Sequence, residues 1–203
     1  NPGQLIVIAG RPGSGKSMFA LQVADNIKAN PENKVLYITL EMSLKETLNR
    51  LLKRKGAATS EEVRTMTFTD EKLEGDILPI LKNLDCRQSL IILPYLFAIE
   101  GIKAKIREER PKVVIIDQLS LMTIKGSYKD TREKFNEIAR ELKRTAEKEG
   151  VAVILLHQAN RKQTEDENYK IIRLEHLAEA DGVGQNADVV ITINQERENP
   201  ETT

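Results

Sequence analysis

A doubly wound α/β domain with a mostly parallel central sheet is the fold class this sequence predicts, and three observations carry the prediction. Six short apolar runs occur at intervals: "QLIVIA" (4–9), "KVLYITL" (34–40), "SLIIL" (89–93), "KVVIID" (112–117), "VAVILL" (151–156) and "DVVITI" (188–193). They are rich in β-branched residues and continuous rather than alternating, which suits strands buried on both faces of a parallel sheet. Amphipathic stretches of helical length lie between them, and that alternation argues for right-handed crossovers with helices on both faces. The third observation is the junction after the first run, where the glycine-rich "GRPGSGKS" (10–17) leads into a helical pattern.

The elements follow in order. "SMFALQVADNIKAN" reads as the helix after the glycine loop, and "SLKETLNRLLKRK" as the helix after the second strand. Residues 57–88 are polar and irregular, expected as helical turns on the periphery. "DTREKFNEIARELKRTAEKEG" has the clearest pattern. Asp130 and Glu133 fit a capping box, Phe135, Ile138, Ala139, Leu142 and Ala146 share one face, and Gly150 supplies a stop. "ANRKQTEDENYK" (159–170) reads as an exposed, charged loop. There is no internal repeat and no low-complexity tract.

Composition narrows the function classes. The 203 residues suffice for one domain with a substantial core or two small ones. Hydrophobic residues make up 40% and charged residues 31%, which excludes wholesale disorder. With 31 basic and 31 acidic residues the formal net charge is +0, so any nucleic-acid binding must rest on local patches. Cys86 is the only cysteine, so an intrachain disulfide is impossible and a reducing compartment fits. One cysteine and two separated histidines, His157 and His176, argue against a zinc site. No apolar run approaches the roughly 20 residues a membrane span needs, and the N-terminus lacks a signal-peptide pattern. The expected setting is the cytoplasm. The abrupt start "NPGQ" and the polar end "NQERENPETT" lead us to expect an excised single domain, 1–203.

The chemistry concentrates at the glycine loop. Gly10, Gly15, Lys16 and Ser17 complete G-x-x-x-x-G-K-[ST], with Arg11, Pro12, Gly13 and Ser14 between. After a strand and before a helix, that loop turns the backbone N–H groups of 13–17 toward a β-phosphate, at the positive end of the helix dipole. Lys16 is expected to bridge β- and γ-phosphates and Ser17 to ligate Mg²⁺. "VVIID" places Asp117 at the carboxyl end of a strand, where it serves either as a turn residue or as the second magnesium group. Gln118 occupies the next position, where many ATPases with this phosphate-binding loop carry the glutamate that activates water. Glu41, closing "VLYITLE", is the expected general base; its alternative is a place in the N-terminal region of the following helix. Gln158, closing the fifth run, is placed to sense the γ-phosphate. His157 is left without a functional role.

In this order the residues resemble the RecA-like P-loop ATPases, most closely the motor domain of DnaB-type replicative helicases. The resemblance runs through "GQLIVIAGRPGSGKSMFALQ", "LYITLEMS", "VVIIDQLSLM", "LLHQANR" and "GQNADVVITI", nearly the whole chain. It implies ATP and Mg²⁺ as cofactors, Glu41 as catalytic base, Asp117 as the Walker B aspartate and Gln158 as sensor. It also implies a hexameric ring in the intact protein, ATP at subunit interfaces, single-stranded DNA in the channel and 5′–3′ polarity. The family's N-terminal domain and linker helix, which meet primase and a neighbouring subunit, its arginine finger and its final strands do not appear in this chain; primase and a helicase loader would be partners through such parts.

The family's DNA contacts come from two loops. The first corresponds here to "TIKGSYKDTR", with Lys125, Lys129 and Arg132 beside Gly126 and Ser127; a solvated loop leading into a helix is the alternative. The second corresponds to "LEHLAEADGVGQNAD". Many relatives carry an arginine near the position of Ala178 and this chain does not, which leaves the backbone N–H groups of Gly182 and Gly184 to meet phosphate. No interleaving of aromatic and basic residues points to base stacking, so a backbone-directed grip is expected. Two other functions remain in view: a RecA-like ring without unwinding activity (recombinase, loader, or clock and signalling type), and a small-molecule phosphotransferase. "KGAATSEEVRTMTFTDEKLEG" offers only Arg64 as a lid arginine, against the phosphotransferase.

Overall fold

The computed structural model describes residues 1–30, 32–87, 89–158 and 181–194. The charged stretch 159–170, His176 and Ala178 lie outside them. All six expected strands are present: β1 (Leu5–Gly10), β2 (Val35–Thr39), β3 (Leu90–Pro94), β4 (Val113–Asp117), β5 (Ala152–Gln158) and β6 (Val189–Ile193). They form one sheet of order β3-β2-β4-β5-β1-β6. Every pairing is parallel, so the whole sheet presents its carboxyl ends along one edge.

The alternation of side chains along each strand sorts the core into two layers. Leu5, Val7 and Ala9 of β1, Leu36 and Ile38 of β2, Val114 and Ile116 of β4 and Val153 and Leu155 of β5 share one cluster. The helices on that face are α6 (Ile99–Glu109), α7 (Thr131–Glu149) and α8 (Asp181–Asn186), through Ile102, Ile138, Leu142 and Val183. The opposite register, with Ile8, Val35, Tyr37, Ile115, Ile154 and Leu156, packs on α1 (Lys16–Ile27) and α2 (Leu44–Arg54). Each aliphatic side chain buried in these layers contributes about 1.5–3 kcal/mol relative to exposure. Two-sided burial accounts for the continuous apolar runs of β1, β2, β4 and β5. The edge strands depart from the expectation, because each has a neighbouring strand on one side only. β3 is only half-buried beyond Leu90, and β6 exposes Val189 and Ile191.

Capping follows the sequence closely. Ser43 and Glu46 form a reciprocal capping box at the start of α2. Asp130 caps α7 by accepting the Glu133 N–H at 2.8 Å. The Glu133 carboxylate returns to the N–H of Lys129, at 2.7 Å, which moves the expected box one residue outward. Gly150 ends α7 in the left-handed region, at φ 64°.

Two stretches differ from expectation. Residues 57–87 are largely helical as expected, and they add a core that was not expected. α3 (Ser60–Thr65) is followed by α4 (Asp70–Lys72), a π-helical turn (Leu73–Ile77) and α5 (Leu78–Arg87), and Leu52, Ala57, Ala58, Val63 and Ile77 give this lobe a small core of its own. The helical spacing of Leu73, Ile77, Ile80, Leu81 and Leu84 was the available signal, masked by Gly75, Pro79 and the surrounding charges. The second is α6, which is not among the expected helices. Its start is hidden by the aromatic "YLF", and Gly101 interrupts the pattern because a Cβ there would come within 2.9 Å of Leu96.

Candidate functional site

At the carboxyl edge the register aligns residues distant in sequence: Gly10 pairs with Gln158 across β1–β5, and Thr39 with Asp117 across β2–β4. The loop after β1 closes over this edge. Gly13 and Gly15 take φ 78° and 89°, values that a side chain strongly disfavours. Gly10 is required for space, since a Cβ there would lie 2.5 Å from Ser14 Oγ and 3.0 Å from the Ile193 carbonyl. Lys16 opens α1, 6% exposed, and its ammonium donates to the carbonyls of Gly10 (2.9 Å) and Arg11 (2.7 Å). Burial lowers its pKa, opposed by the nearby charges of Asp117 and Glu41.

Asp117 is 1% exposed and lies on the α1 side of the sheet. Burial raises its pKa, against hydrogen bonds from the Ser17 hydroxyl and from Tyr37, whose hydroxyl donates to Oδ2 at 3.2 Å. A carboxylate held ionised mainly by two hydroxyls, in a place that favours its neutral form, suits a cation as further partner. Ser14 Oγ is buried without a hydrogen-bond partner inside the loop, an acceptor and donor facing the same cradle. Both observations fit a magnesium nucleotide bound through its phosphates.

Beyond β2 the chain turns through Thr39, whose hydroxyl donates to the Met42 carbonyl at 3.0 Å, and exposes Glu41 at the edge. A cleft of about 540 Å³ lies between this turn and the glycine loop, lined among others by Lys16, Ser17, Glu41, Gln118 and Gln158. Gln158 Nε2 donates to Gln118 Oε1 at 2.7 Å, and Gln118 Nε2 donates to Ser120 Oγ at 2.7 Å. The two amides thus link the cleft to the segment after β4.

Three participants escaped the sequence reading. Glu46 and Arg50 of α2 line the cleft; Glu46 is committed to Ser43 by its capping bonds, and Arg50 acts electrostatically on Asp117 and Tyr37. Their four-residue spacing, on a helix leaving the Glu41 turn, was the available signal. Tyr37 was signalled by a phenol within an otherwise aliphatic buried run, since its hydroxyl needs a partner.

The expected DNA-contact residues lie elsewhere. Lys125, Lys129 and Arg132 are exposed on the β4–α7 loop and the first turn of α7. Gly182 is buried against α7, where a Cβ would collide with the Asn136 side chain; Gly184 is half-buried in the same short helix. Gly182 therefore answers a packing demand.

His157 faces away from the cleft, because strand alternation gives it the α7 side. Its ring meets Phe135 edge-on, with centroids 5.9 Å apart. Burial and the Lys16 charge hold its pKa down at about 4, against an ordinary 6.5. Below about pH 6.5 the unfolded chain takes a proton that the fold refuses until about pH 4, so stability is lost as pH falls through that window. The full loss is on the order of 3 kcal/mol. In urea unfolding, the drop in stability from pH 7 to pH 5 is expected to be about 2 kcal/mol larger for wild type than for His157→Leu. Equal drops would show that His157 is not the group responsible.

Comparison with known proteins supplies the family. The chain matches, over residues 1–203, the family described as DnaB-like helicase C terminal domain. It is 30% identical over 191 residues to the replicative DNA helicase DnaC of Bacillus subtilis (strain 168), covering 92% of this chain and 42% of that protein. It is 31% identical over 210 residues to the replicative DNA helicase DnaB of Leifsonia xyli subsp. xyli, covering 97% and 43%. The chain thus spans less than half the length of these relatives. Among solved structures, one ATPase domain superposes with a TM-score of 0.88 at 25% identity, over 100% of this chain and 74% of that one. A DnaB-like replicative helicase described with its interactions with primase gives 0.85 at 26% identity, covering 98% and 50%.

Proposed function

The chain belongs to the DnaB-like helicase C-terminal domain family, and from that premise we propose that it is the motor of a replicative DNA helicase, binding ATP with Mg²⁺ in the cleft at the sheet's carboxyl edge. The observation that carries the reading is the convergence of Lys16, Ser17, Asp117, Glu41 and Gln158 on one edge from four separate strand ends. The amides of residues 13–17 and the Lys16 ammonium would hold the phosphates. Ser17 and Asp117 would hold the magnesium, which neutralises charge on the transferred phosphoryl group. Glu41 would accept the proton of the attacking water, and Gln158 would read the γ-phosphate. Through Gln118 and Ser120, that reading reaches the segment that carries Lys125, Lys129 and Arg132. Single-stranded DNA is the proposed partner of that loop. A hexameric ring is the proposed assembly, and primase a proposed partner of the intact protein. The setting proposed is the cytoplasm; among the described residues no helix is long and apolar enough to cross a membrane.

The test is the ATPase rate of the full-length protein with and without single-stranded DNA, followed by strand displacement on a forked duplex. Stimulation by single strands together with unwinding is the expected result. Hydrolysis indifferent to DNA, with no unwinding, would assign the chain to the ring ATPases that do not unwind.

A further inference from the structure

The sheet topology brings an aromatic pair to the base of the basic loop. Tyr95 and Phe97 follow β3 directly and are 50% and 36% exposed, with ring centroids 6.2 Å apart and planes inclined by 27°. The chain has only 4 Tyr and 4 Phe and no Trp, so two exposed, stacked rings at one point make a concentrated apolar surface. The β4–α7 loop is sewn to this point: Thr123 N–H donates to the Phe97 carbonyl at 2.8 Å, and Ile99 N–H donates to the Thr123 carbonyl at 3.0 Å. Lys125 is two residues beyond that junction.

Tyr95 is also held in an unfavourable conformation. Its φ of 61° is left-handed, a region that a residue with a side chain disfavours. It is kept there by its N–H, which donates to the Thr39 carbonyl at 2.8 Å, at the end of the strand that leads to Glu41. The ring therefore stands on a rigid mount tied to both the nucleotide edge and the loop. Glu100, in the first turn of α6, follows Phe97 by three residues, so phosphate contact at this end is left to the lysines and arginine of the loop.

We propose that Tyr95 and Phe97 form a stacking platform for unpaired nucleobases, beside the phosphate contacts of Lys125, Lys129 and Arg132. The proposal rests on the helicase reading and adds a base-directed, sequence-tolerant contact to a grip otherwise made through phosphates. Aromatic faces serve every base alike, while lysine and arginine fix the backbone.

The probes are an oligo-dT strand and an abasic strand of the same length, with binding to the full-length protein measured over a range of salt. Wild type should bind oligo-dT about tenfold more tightly than the abasic strand for each base stacked. Tyr95→Leu with Phe97→Leu, which keeps apolar bulk and removes the rings, should erase that preference and leave the salt slope unchanged. Lys129→Ala with Arg132→Ala should do the reverse, lowering the slope and keeping the preference. A leucine variant that still prefers oligo-dT would overturn the platform. So would a leucine variant that keeps the preference and loses ring assembly in sedimentation, which would make this face a subunit contact. Failure of wild type to bind either strand would overturn the helicase reading itself, a separate outcome.

Discussion

Lys16→Ala is expected to reduce ATP turnover by at least about 10²–10³-fold, the usual cost of removing one preorganised charge from a phosphoryl-transfer site. The side chain is buried at the mouth of the cradle and its ammonium donates to the loop carbonyls of Gly10 and Arg11. Alanine removes the charge and its two bonds to the loop carbonyls, while Gly13 and Gly15, whose positive φ shapes the loop, stay in place. Stability should change little. Losing a cation whose pKa burial lowers relieves a desolvation cost, and this offsets the lost attraction to Asp117 and Glu41. Nucleotide affinity measured by calorimetry, turnover by phosphate release and a thermal melt separate these effects. A folded variant that binds and hydrolyses ATP normally would remove the glycine loop from the proposed mechanism.

Glu41→Gln is the second large effect: binding retained, hydrolysis slowed by about 10²–10⁴-fold, the contribution of a positioned general base. Glutamine keeps the shape and can still hydrogen-bond a water, but it cannot take the proton. Glu41 is exposed at the edge, and its charge reaches both Lys16 and Asp117, which places it across the cleft from the cradle. The competing carboxylate is Glu46. It accepts bonds from the Ser43 N–H and hydroxyl at 2.8 and 2.7 Å, and those bonds lower its pKa, making it a poorer base. If Glu41→Gln turns over normally in single-turnover experiments while Glu46→Gln does not, the base belongs to α2.

Much of the site was legible because its chemistry is local. The glycine loop is eight contiguous residues whose strand-to-helix context can be read on either side. Asp117 and Gln158 announce themselves as polar residues closing apolar runs. The separation of His157 from Gln158 was legible in principle, since adjacent residues of a strand face opposite ways. Knowing which side each took required the helices to be placed: α7 supplies Phe135 to one, and α1 opens the cradle beside the other.

Other features carried only a partial local signal. The lobe around Val63 and Ile77 joins Leu52, Ala57, Ala58 and Val63 to a segment more than ten residues later, a meeting that the helical spacing of Ile77, Ile80 and Leu81 does not reveal. Glu46 entered the cleft because α2 leaves the Glu41 turn toward the glycine loop, a direction that its helical pattern does not contain.

The pattern of residues along the chain was enough to determine six strands of a parallel sheet, the glycine-rich loop and the polar groups at the strand ends around it. Each depends on interactions within about ten neighbouring residues, or on burial that a run of aliphatic side chains already reports. The strand order β3-β2-β4-β5-β1-β6 was decided only in three dimensions, and with it the Tyr37–Asp117 bond, the Gln158–Gln118–Ser120 chain and the joining of Tyr95 and Phe97 to the loop after β4. Each of these joins residues from segments separated by whole strands or helices. Such contacts arise from long-range pairing of strands that are nearly interchangeable in composition, and local periodicity carries no information about which strand lies beside which.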